Sequence, residues 1–283
     1  MTVLEAIEKS RVFLHSKGLE SARLESEWLL GHVLNLPRLQ LYLNFERILN
    51  EAETARLREL VKRRASREPL QHLLGTAQFC GLEIEVDRNV LIPRPETELL
   101  AEAAWRLLNE VQRPTSFLDF GTGTGCIAIS ICRHAAHTRG VALDKSPAAL
   151  EVAARNAARH SLQDRVAFVQ SDGFAAVPQE AFDLIVSNPP YIPSSEIPRL
   201  QPEVRDYDPR TALDGGADGL EFYRLLAAEA TRFVAPAGRM LLEFGDGQAD
   251  AVSDILRQQN WPMMEVREDL SGRGRFLFAA RAG

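Results

Sequence analysis

Four consecutive residues able to do chemistry, Asn188-Pro189-Pro190-Tyr191, form a segment that we call the tetrad. They follow an apolar run at residues 182–187 that has the length of a strand. Neither proline has a backbone N–H, so the sheet cannot continue, and the residue before a proline is kept extended. The Asn188 carboxamide can accept and donate hydrogen bonds, and Tyr191 adds an aromatic face. The tetrad is therefore predicted to hold a planar NH2 group; the alternative is a strand followed by an ordinary proline-rich loop.

A second segment, Asp-Phe-Gly-Thr-Gly-Thr-Gly at residues 119–125, is called the glycine turn. Glycines between a strand and a helix allow positive φ and let a ligand approach the backbone closely. The spacing is GxGxG instead of the GxGxxG of dinucleotide folds, and Asp119 would repel a pyrophosphate. Asp119 would favour a cationic ligand that carries a sulfonium or an α-amino group. These features favour S-adenosyl-L-methionine over NAD, and the remaining alternative is a purely structural turn.

Acidic residues end the two strands that follow the glycine turn. Asp144 is placed to accept two hydrogen bonds from a ribose diol, and Asp172 can accept one from an adenine amino group. Asp172 can equally be an ordinary surface carboxylate. The predicted donor-binding residues are Asp119, Gly121, Thr122, Gly123, Thr124, Gly125, Asp144, Asp172 and Asn188.

The reaction that suits these residues is methyl transfer from a sulfonium to an amide or amino nitrogen. The enzyme must hold the nitrogen about 3–3.5 Å from the methyl carbon in line with its bond to sulfur. Asn188 Oδ1 and the Pro189 carbonyl can each accept one N–H of the NH2 group, and Tyr191 can stack on its plane. The predicted catalytic residues are Asn188, Pro189 and Tyr191. No general base and no metal are required.

Composition excludes several other classes of protein. The chain has 283 residues, 45% hydrophobic and 25% charged, as in ordinary globular proteins. A net charge of −6 argues against binding that depends mainly on nucleic-acid phosphates. Three cysteines without metal or redox spacing indicate a reducing compartment, and we expect a cytoplasmic monomer. We expect neither a signal peptide nor a membrane span.

Residues 1–75 are predicted to form a small helical bundle. Thr2 with Glu5 and Asn50 with Glu53 are capping-box patterns, and Ser21 is predicted to cap another helix. The basic run at residues 62–64 is interpreted as a solvated helix end, with contact to RNA or an acidic partner as the weaker interpretation.

Residues 76–95 are predicted to be a β-hairpin linker in which an alternating strand at 82–86 pairs with an extended piece at 90–92. From residue 96 to 283 strands and helices alternate, which predicts a mostly parallel sheet with helices on both faces. The segment at 192–216 is either a mobile lid or an exposed loop.

Several segments together resemble the PrmC/HemK family of release factor glutamine methyltransferases. They are Pro69-Leu70-Gln71, Gly75, Phe79, Gly81, residues 90–98, residues 119–125, residues 187–192 and residues 214–220. The resemblance implies an α/β fold: a seven-stranded, Rossmann-like (class I) S-adenosylmethionine-dependent domain at 96–283, preceded by a helical domain that recognises the substrate. It implies methylation of the glutamine in the Gly-Gly-Gln motif of bacterial class 1 peptide release factors. It also implies that Asn188, Pro189, Pro190 and Tyr191 hold that glutamine, and that the Asp172-Gly173 step helps to bind the methyl donor.

The chain departs from the family where Gly173 stands, because the family often has an aromatic residue there. Two outcomes are expected from this departure: either Phe174 or another side chain takes its place, or the affinity for the methyl donor is lower. Three alternatives stay open at this stage. They are a glutamine methyltransferase of a ribosomal protein, an adenine-N6 nucleic-acid methyltransferase, and a donor-binding module without activity. The acidic chain and the lack of a basic, aromatic target-recognition region argue against the nucleic-acid enzyme.

Overall fold

The computed structural model describes residues 1–178 and 180–280. The helices are α1 (Val3–Ser16), α2 (Ala22–Leu34), α3 (Arg38–Tyr42), α4 (Glu51–Ala65), α5 (Leu70–Leu74), α6 (Pro95–Asn109), α7 (Cys126–His134), α8 (Pro147–Arg159), α9 (Pro202–Arg205), α10 (Glu221–Glu229) and α11 (Ala249–Gln258). The strands are β1 (Thr76–Phe79), β2 (Leu82–Glu85), β3 (Thr115–Phe120), β4 (Thr138–Asp144), β5 (Val166–Gln170), β6 (Phe182–Ser187), β7 (Val234–Glu243), β8 (Met263–Glu268) and β9 (Gly274–Ala280).

These elements divide into two compact units. Unit 1 comprises Met1–Thr76 and Gln201–Tyr207, and unit 2 comprises Ala77–Leu200 and Asp208–Gly283. Unit 1 is therefore discontinuous in sequence. No helix in the described part of the chain is both long and apolar enough to cross a membrane.

Unit 1 is a bundle of short helices around an apolar core. Both capping boxes are confirmed: the Thr2 and Asn50 side chains accept from the backbone of Glu5 and Glu53. The predicted cap at Ser21 is wrong, because within the described residues its side chain makes no capping hydrogen bond at the start of α2. Apolar side chains from α1, α2 and α4 fill the core, so burial supplies most of the stability of these short helices.

The interpretation of residues 62–64 as a solvated helix end is wrong for one residue. Arg64 is buried, with its side chain 7% exposed, while Lys62 and Arg63 are exposed. The Arg64 Nε lies 2.8 Å from Glu25 Oε2, and the Arg64 Nη2 lies 3.1 Å from Oε1 of Glu203, which belongs to the second piece of unit 1. Two carboxylates offset the desolvation of the guanidinium, so an isolated charge is not buried.

Unit 2 begins with a hairpin whose pairing differs from the prediction. The two-stranded sheet consists of β1 and β2, whereas residues 90–92 lie in an irregular segment. Val90 and Ile92 are nevertheless buried, packed with Ala149 and Val152 of α8. Apolar side chains can be buried in irregular backbone, and this run shows no alternation that would require a strand.

The predicted parallel sheet with flanking helices is confirmed. Seven strands of the described chain are ordered β5-β4-β3-β6-β7-β9-β8. The first five in this order are parallel, and β9 runs antiparallel to both β7 and β8. Along β3, Phe117 packs in a core with α6, α7 and α8, while the next residue, Leu118, packs in a core with α10 and α11. The sheet is therefore covered on both faces, which explains its continuous apolar strands.

The chain order reverses between β3 and β6. From β3 the sheet extends through β4 to β5 in one direction, whereas β6 lies on the other side of β3. In open parallel sheets, ligands bind at the carboxyl ends of the strands beside such a reversal. The fold therefore places the glycine turn, after β3, beside the tetrad, after β6.

Candidate active site

The glycine turn and the tetrad start from neighbouring, hydrogen-bonded strand ends. Asp119 in β3 pairs with Val186 in β6. The buried Ser187 hydroxyl donates a 2.7 Å hydrogen bond to the Phe120 carbonyl, which joins the last residues of the two strands. The two segments that sequence analysis singled out are thus brought together.

The glycine turn has the backbone that its glycines predict. Gly121, Gly123 and Gly125 have φ of 74°, 54° and 78°. A Cβ added at Gly121 or Gly123 would meet nothing within 4 Å among the described residues, so these two glycines leave open space beside the backbone. At Gly125 a Cβ would lie 3.1 Å from Ala153 Cβ of α8. The first two glycines thus permit ligand approach, and the third permits helix packing.

Asp119 lies beneath the turn and is 0% exposed. Its Oδ2 accepts a 2.7 Å hydrogen bond from Thr122 Oγ1, and its Oδ1 has no hydrogen-bond partner among the described residues. Burial raises the pKa of Asp119 to about 7, while the hydrogen bond from Thr122 and the nearby Ala128 backbone N–H oppose that shift. A buried acid with a free acceptor fits a cationic ligand, which would stabilise its ionised form.

Asp144 ends β4 and supports the turn from the side. Its Oδ2 accepts a 2.9 Å hydrogen bond from the Gly123 N–H, and its Oδ1 accepts a 2.8 Å bond from the Ser146 N–H. Each carboxylate oxygen retains further acceptor capacity. The half-buried Asp144 is thus oriented by backbone donors and remains able to accept from a diol.

Asp172 lies at the same edge but is far more open. Its side chain is 75% exposed and forms an exposed ion pair with Lys145 at 2.8 Å. The next residue, Gly173, has φ of 62°, and a Cβ there would lie 3.4 Å from Leu225 Cδ2. Phe174 is buried, and its ring stacks on that of Phe233 with the ring centroids 5.2 Å apart. The apolar side chain beside Gly173 is therefore Leu225, which sequence analysis did not single out, and Phe174 belongs to the core.

Asn188 is held by side chains remote in sequence. Its Nδ2 donates a 2.9 Å hydrogen bond to Thr97 Oγ1 of α6, and Thr97 Oγ1 donates a 2.8 Å bond to Glu243 Oε2 at the end of β7. Glu243 is 2% exposed, and burial raises its pKa to about 7 while the hydrogen bond from Thr97 lowers it. Thr97 lies in a segment that carried the family resemblance. The only sequence signal for Glu243 is an acid after an apolar strand.

The rest of the tetrad is fixed through its backbone. The Tyr191 carbonyl accepts a 3.0 Å hydrogen bond from Gln248 Nε2, and Gln248 Oε1 accepts a 2.8 Å bond from the Gly245 N–H. A Cβ at Gly219 would lie 2.3 Å from the Tyr191 carbonyl oxygen, and one at Gly215 would lie 2.8 Å from the Pro190 carbonyl oxygen. Glycines are therefore required where the following segment passes over the tetrad. Pro189 is buried and Tyr191 is half-buried.

The two ends of the segment at 192–216, residues 192–200 and 208–216, belong to unit 2 and pair with each other beside the tetrad. The Ile192 N–H donates to the Leu213 carbonyl at 3.0 Å, and the Gly215 N–H donates to the Ile192 carbonyl at 2.9 Å. Ser194 N–H donates to the Gly216 carbonyl at 2.9 Å. The base of the segment is thus closed by backbone hydrogen bonds. The two interpretations of the segment, a mobile lid and an exposed loop, both stay predictions.

Family comparisons agree with this architecture. Residues 5–75 match the family model described as a PrmC N-terminal domain. Residues 97–199 match the one described as a methyltransferase small domain. The glycine turn and the tetrad both lie within the second match.

Full-length relatives extend these matches. The chain is 47% identical over 276 residues to a release factor glutamine methyltransferase of Geobacter sulfurreducens, which covers 98% of this chain and 95% of that relative. It is 41% identical over 283 residues to one of Nitratidesulfovibrio vulgaris, covering 99% of this chain and 95% of that relative. Among solved structures, the hMettl16 catalytic domain is similar with a TM-score of 0.58 and 18% identity, covering 82% of each chain, and shows the fold alone.

The fold and the site define a Rossmann-like methyltransferase. The two relatives specify it further: the chain belongs to the release factor glutamine methyltransferase family.

Proposed function

We propose that this enzyme transfers a methyl group from S-adenosyl-L-methionine to the side-chain nitrogen of a glutamine. The glutamine is the one in the Gly-Gly-Gln motif of bacterial class 1 peptide release factors, and its methylation supports translation termination. The observation that carries the proposal is the position of the oriented Asn188 carboxamide beside a glycine turn with an acid beneath it. Membership of the family supplies the substrate class.

The residues at the strand ends fit the methyl donor. S-adenosylmethionine supplies a methyl group on a positively charged sulfur. Open space beside Gly121 and Gly123 admits an extended ligand, and the free Asp119 Oδ1 suits its positive charge. Asp144 is assigned to the ribose diol and Asp172 to the adenine amino group, with Leu225 as the apolar neighbour at Gly173.

The tetrad is assigned to the glutamine. Asn188 Oδ1 and the Pro189 carbonyl accept the two N–H bonds of the substrate amide, which fixes the orientation of its nitrogen. These acceptors also favour the positive charge that develops on the nitrogen during transfer. Pro190 holds the backbone extended, and Tyr191 packs against the amide plane. The reaction needs no metal, and the proton is lost to solvent after the methyl group has been transferred.

Partner and location follow from the same proposal. Class 1 release factors are the protein substrate, and they act with ribosomes in the cytoplasm. Residues 1–75 are assigned to recognition of the release factor, and the enzyme works as a monomer. All three cysteines are free, as a reducing compartment allows.

A transfer assay tests the proposal. Purified release factor and a variant whose Gly-Gly-Gln glutamine is replaced by alanine are incubated with labelled donor and this enzyme. Label is expected in the first protein alone, with a mass increase of one methyl group on the peptide that contains the motif. Equal labelling of both proteins, or labelling of neither, contradicts the proposal.

A further inference from the structure

One buried acid near the site, Glu243, has no role in the scheme above. It ends β7, where the preceding residue, Leu242, pairs with Ser187 immediately before the tetrad. Its backbone carbonyl accepts a 2.8 Å hydrogen bond from the buried Tyr223 hydroxyl, so its position is fixed. A buried carboxylate costs free energy unless it has partners, and its side-chain partner here is Thr97.

The direction of the hydrogen bonds follows from the groups present. A hydroxyl has one proton, and an ionised carboxylate can only accept, so Thr97 donates to Glu243. The Thr97 oxygen must then accept from Asn188, and only the Nδ2 end of that carboxamide can donate. The Oδ1 end is left for another donor. The ionised state of Glu243 thus sets which end of Asn188 is free.

We propose that Thr97 and Glu243 are positioning residues that orient the Asn188 carboxamide so that Oδ1, and not Nδ2, faces the substrate amide. This inference rests on the proposed function and explains why the tetrad accepts an NH2 group. In the reversed orientation Nδ2 would meet the substrate nitrogen, placing two donors against each other without an acceptor. A carboxamide free to rotate would spend part of its time in that unproductive state.

Protonation of Glu243 reverses the chain of hydrogen bonds. A neutral Glu243 can donate to Thr97, which then donates to Asn188 Oδ1 and leaves Nδ2 free. Its raised pKa of about 7 places this change in an accessible pH range. Besides Thr97, the groups that face Glu243 are Arg275 of β9 and the Asn188 side chain, which favour the ionised form, and Glu96 of α6, which opposes it. Tyr191 and Tyr223 also lie close to it.

A measurement without substrate tests the orientation directly. The side-chain amide of Asn188 is observed by NMR in protein labelled with 15N-asparagine, and its signal is identified by its loss in Asn188→Ala. In the wild type, exchange of the Nδ2 protons with water is expected to be slow. In Thr97→Val and Glu243→Leu it should be faster by about fivefold or more, because Nδ2 loses its acceptor in the first variant and the Thr97 hydroxyl is no longer held as an acceptor in the second. Thr97→Ser retains the hydroxyl and should restore slow exchange.

Kinetics test the consequence for methyl transfer. With saturating donor, Thr97→Val and Glu243→Leu should each lower kcat on release factor by about tenfold, while the Kd of the donor changes by less than about twofold. In the wild type, kcat should fall at acidic pH as Glu243 becomes protonated. In both variants this part of the pH dependence of kcat should be absent. In a double-mutant cycle, Thr97→Val should add nothing to Asn188→Ala, because it acts only through Asn188.

A matched control separates positioning from stability. Thr115 and Thr138 form another buried pair of hydroxyl groups, with their oxygens 2.7 Å apart. Both residues begin their strands, β3 and β4, and so lie at the edge of the sheet opposite to the site. Thr115→Val removes a comparable buried hydrogen bond and should lower Tm without lowering kcat. The inference is overturned if Asn188 exchange is unchanged in Thr97→Val and Glu243→Leu, or if the two kcat losses are additive with Asn188→Ala. Absence of transfer by the wild type would overturn the proposed function alone, because the NMR result does not depend on substrate.

Discussion

The glycine turn and the tetrad lie side by side but are built in different ways. The turn is fixed by partners close in sequence: Thr122 bonds to Asp119 three residues away, and Gly123 bonds to Asp144 twenty-one residues away. The tetrad is fixed by partners 91 residues away at Thr97 and 57 residues away at Gln248. A donor site can thus be made from a local backbone pattern, whereas orienting a substrate amide needs side chains from across the fold. Substitutions should separate the two segments: turn changes alter donor affinity, and tetrad changes alter the rate.

The largest effect is expected at Asn188. Asn188→Ala removes the acceptor that stabilises charge on the substrate nitrogen, so kcat should fall about 10²–10³-fold. S-adenosyl-L-homocysteine is the product that remains when S-adenosyl-L-methionine has lost its methyl group, and its Kd, measured by calorimetry, should change by less than about threefold. A large loss of donor binding with an unchanged kcat would mean that Asn188 binds the methyl donor and does not orient the glutamine.

A backbone substitution tests whether the tetrad depends on close packing. Gly219 has φ of 76°, and its Cβ would lie 2.3 Å from the Tyr191 carbonyl oxygen. Gly219→Ala should therefore displace Tyr191 and lower kcat about 100-fold, the effect of an error of roughly 1 Å in placement. Gly81 has a similar φ of 74° with open space around it, so Gly81→Ala measures backbone strain alone. Equal losses of kcat in the two variants would rule out the steric explanation.

On the donor side, the two acids at strand ends should differ in importance. Asp144→Ala removes an acceptor oriented by two backbone N–H groups and should weaken donor binding by about 10–100-fold. Asp172 is exposed, so Asp172→Ala should weaken donor binding by only about threefold. Calorimetric titration with S-adenosyl-L-homocysteine gives both values. The reverse order would mean that the adenine contact, and not the ribose contact, dominates recognition.

The smallest expected effect concerns pH and stability. The pKa of Asp119 is about 7 in the folded chain and 3.8 ordinarily, so folding favours its protonated form. Its contribution to stability is fully present below about pH 4 and is lost as pH rises through about 7. Asp119→Asn cannot ionise and should therefore show a smaller fall of Tm between pH 5 and pH 8 than the wild type. Identical falls in scanning calorimetry would mean that the buried Asp119 does not titrate in this range.

The difference between partners close in sequence and partners far apart also explains which features the sequence could predict. The positive φ of the three turn glycines follows from residue type and local spacing, and it is confirmed. The placement of the tetrad beside the turn follows from the parallel order of strands. Thr97 and Glu243 could not be paired with Asn188, because their approach depends on how α6 packs at the ends of β6 and β7. Long-range packing also decides burial. The sequence predicts a solvated Arg64, but Glu203, 139 residues away, accepts a hydrogen bond from its guanidinium and so makes its burial possible.

The discontinuity of unit 1 has a consequence for the order in which the chain folds during synthesis. Residues 1–76 are translated before residues 201–207, so Arg64 and Arg67 at first lack Glu203, which lies 3.1 Å and 2.8 Å from them in the folded structure. The Tyr207 hydroxyl, which donates to the Ser66 carbonyl, is also still to be made. The ion pairs of the helical unit with Glu203 therefore form only after most strands of the parallel sheet have been translated. Until then the charge of Arg64 is incompletely neutralised. A fragment that ends before residue 201 lacks part of its own first unit.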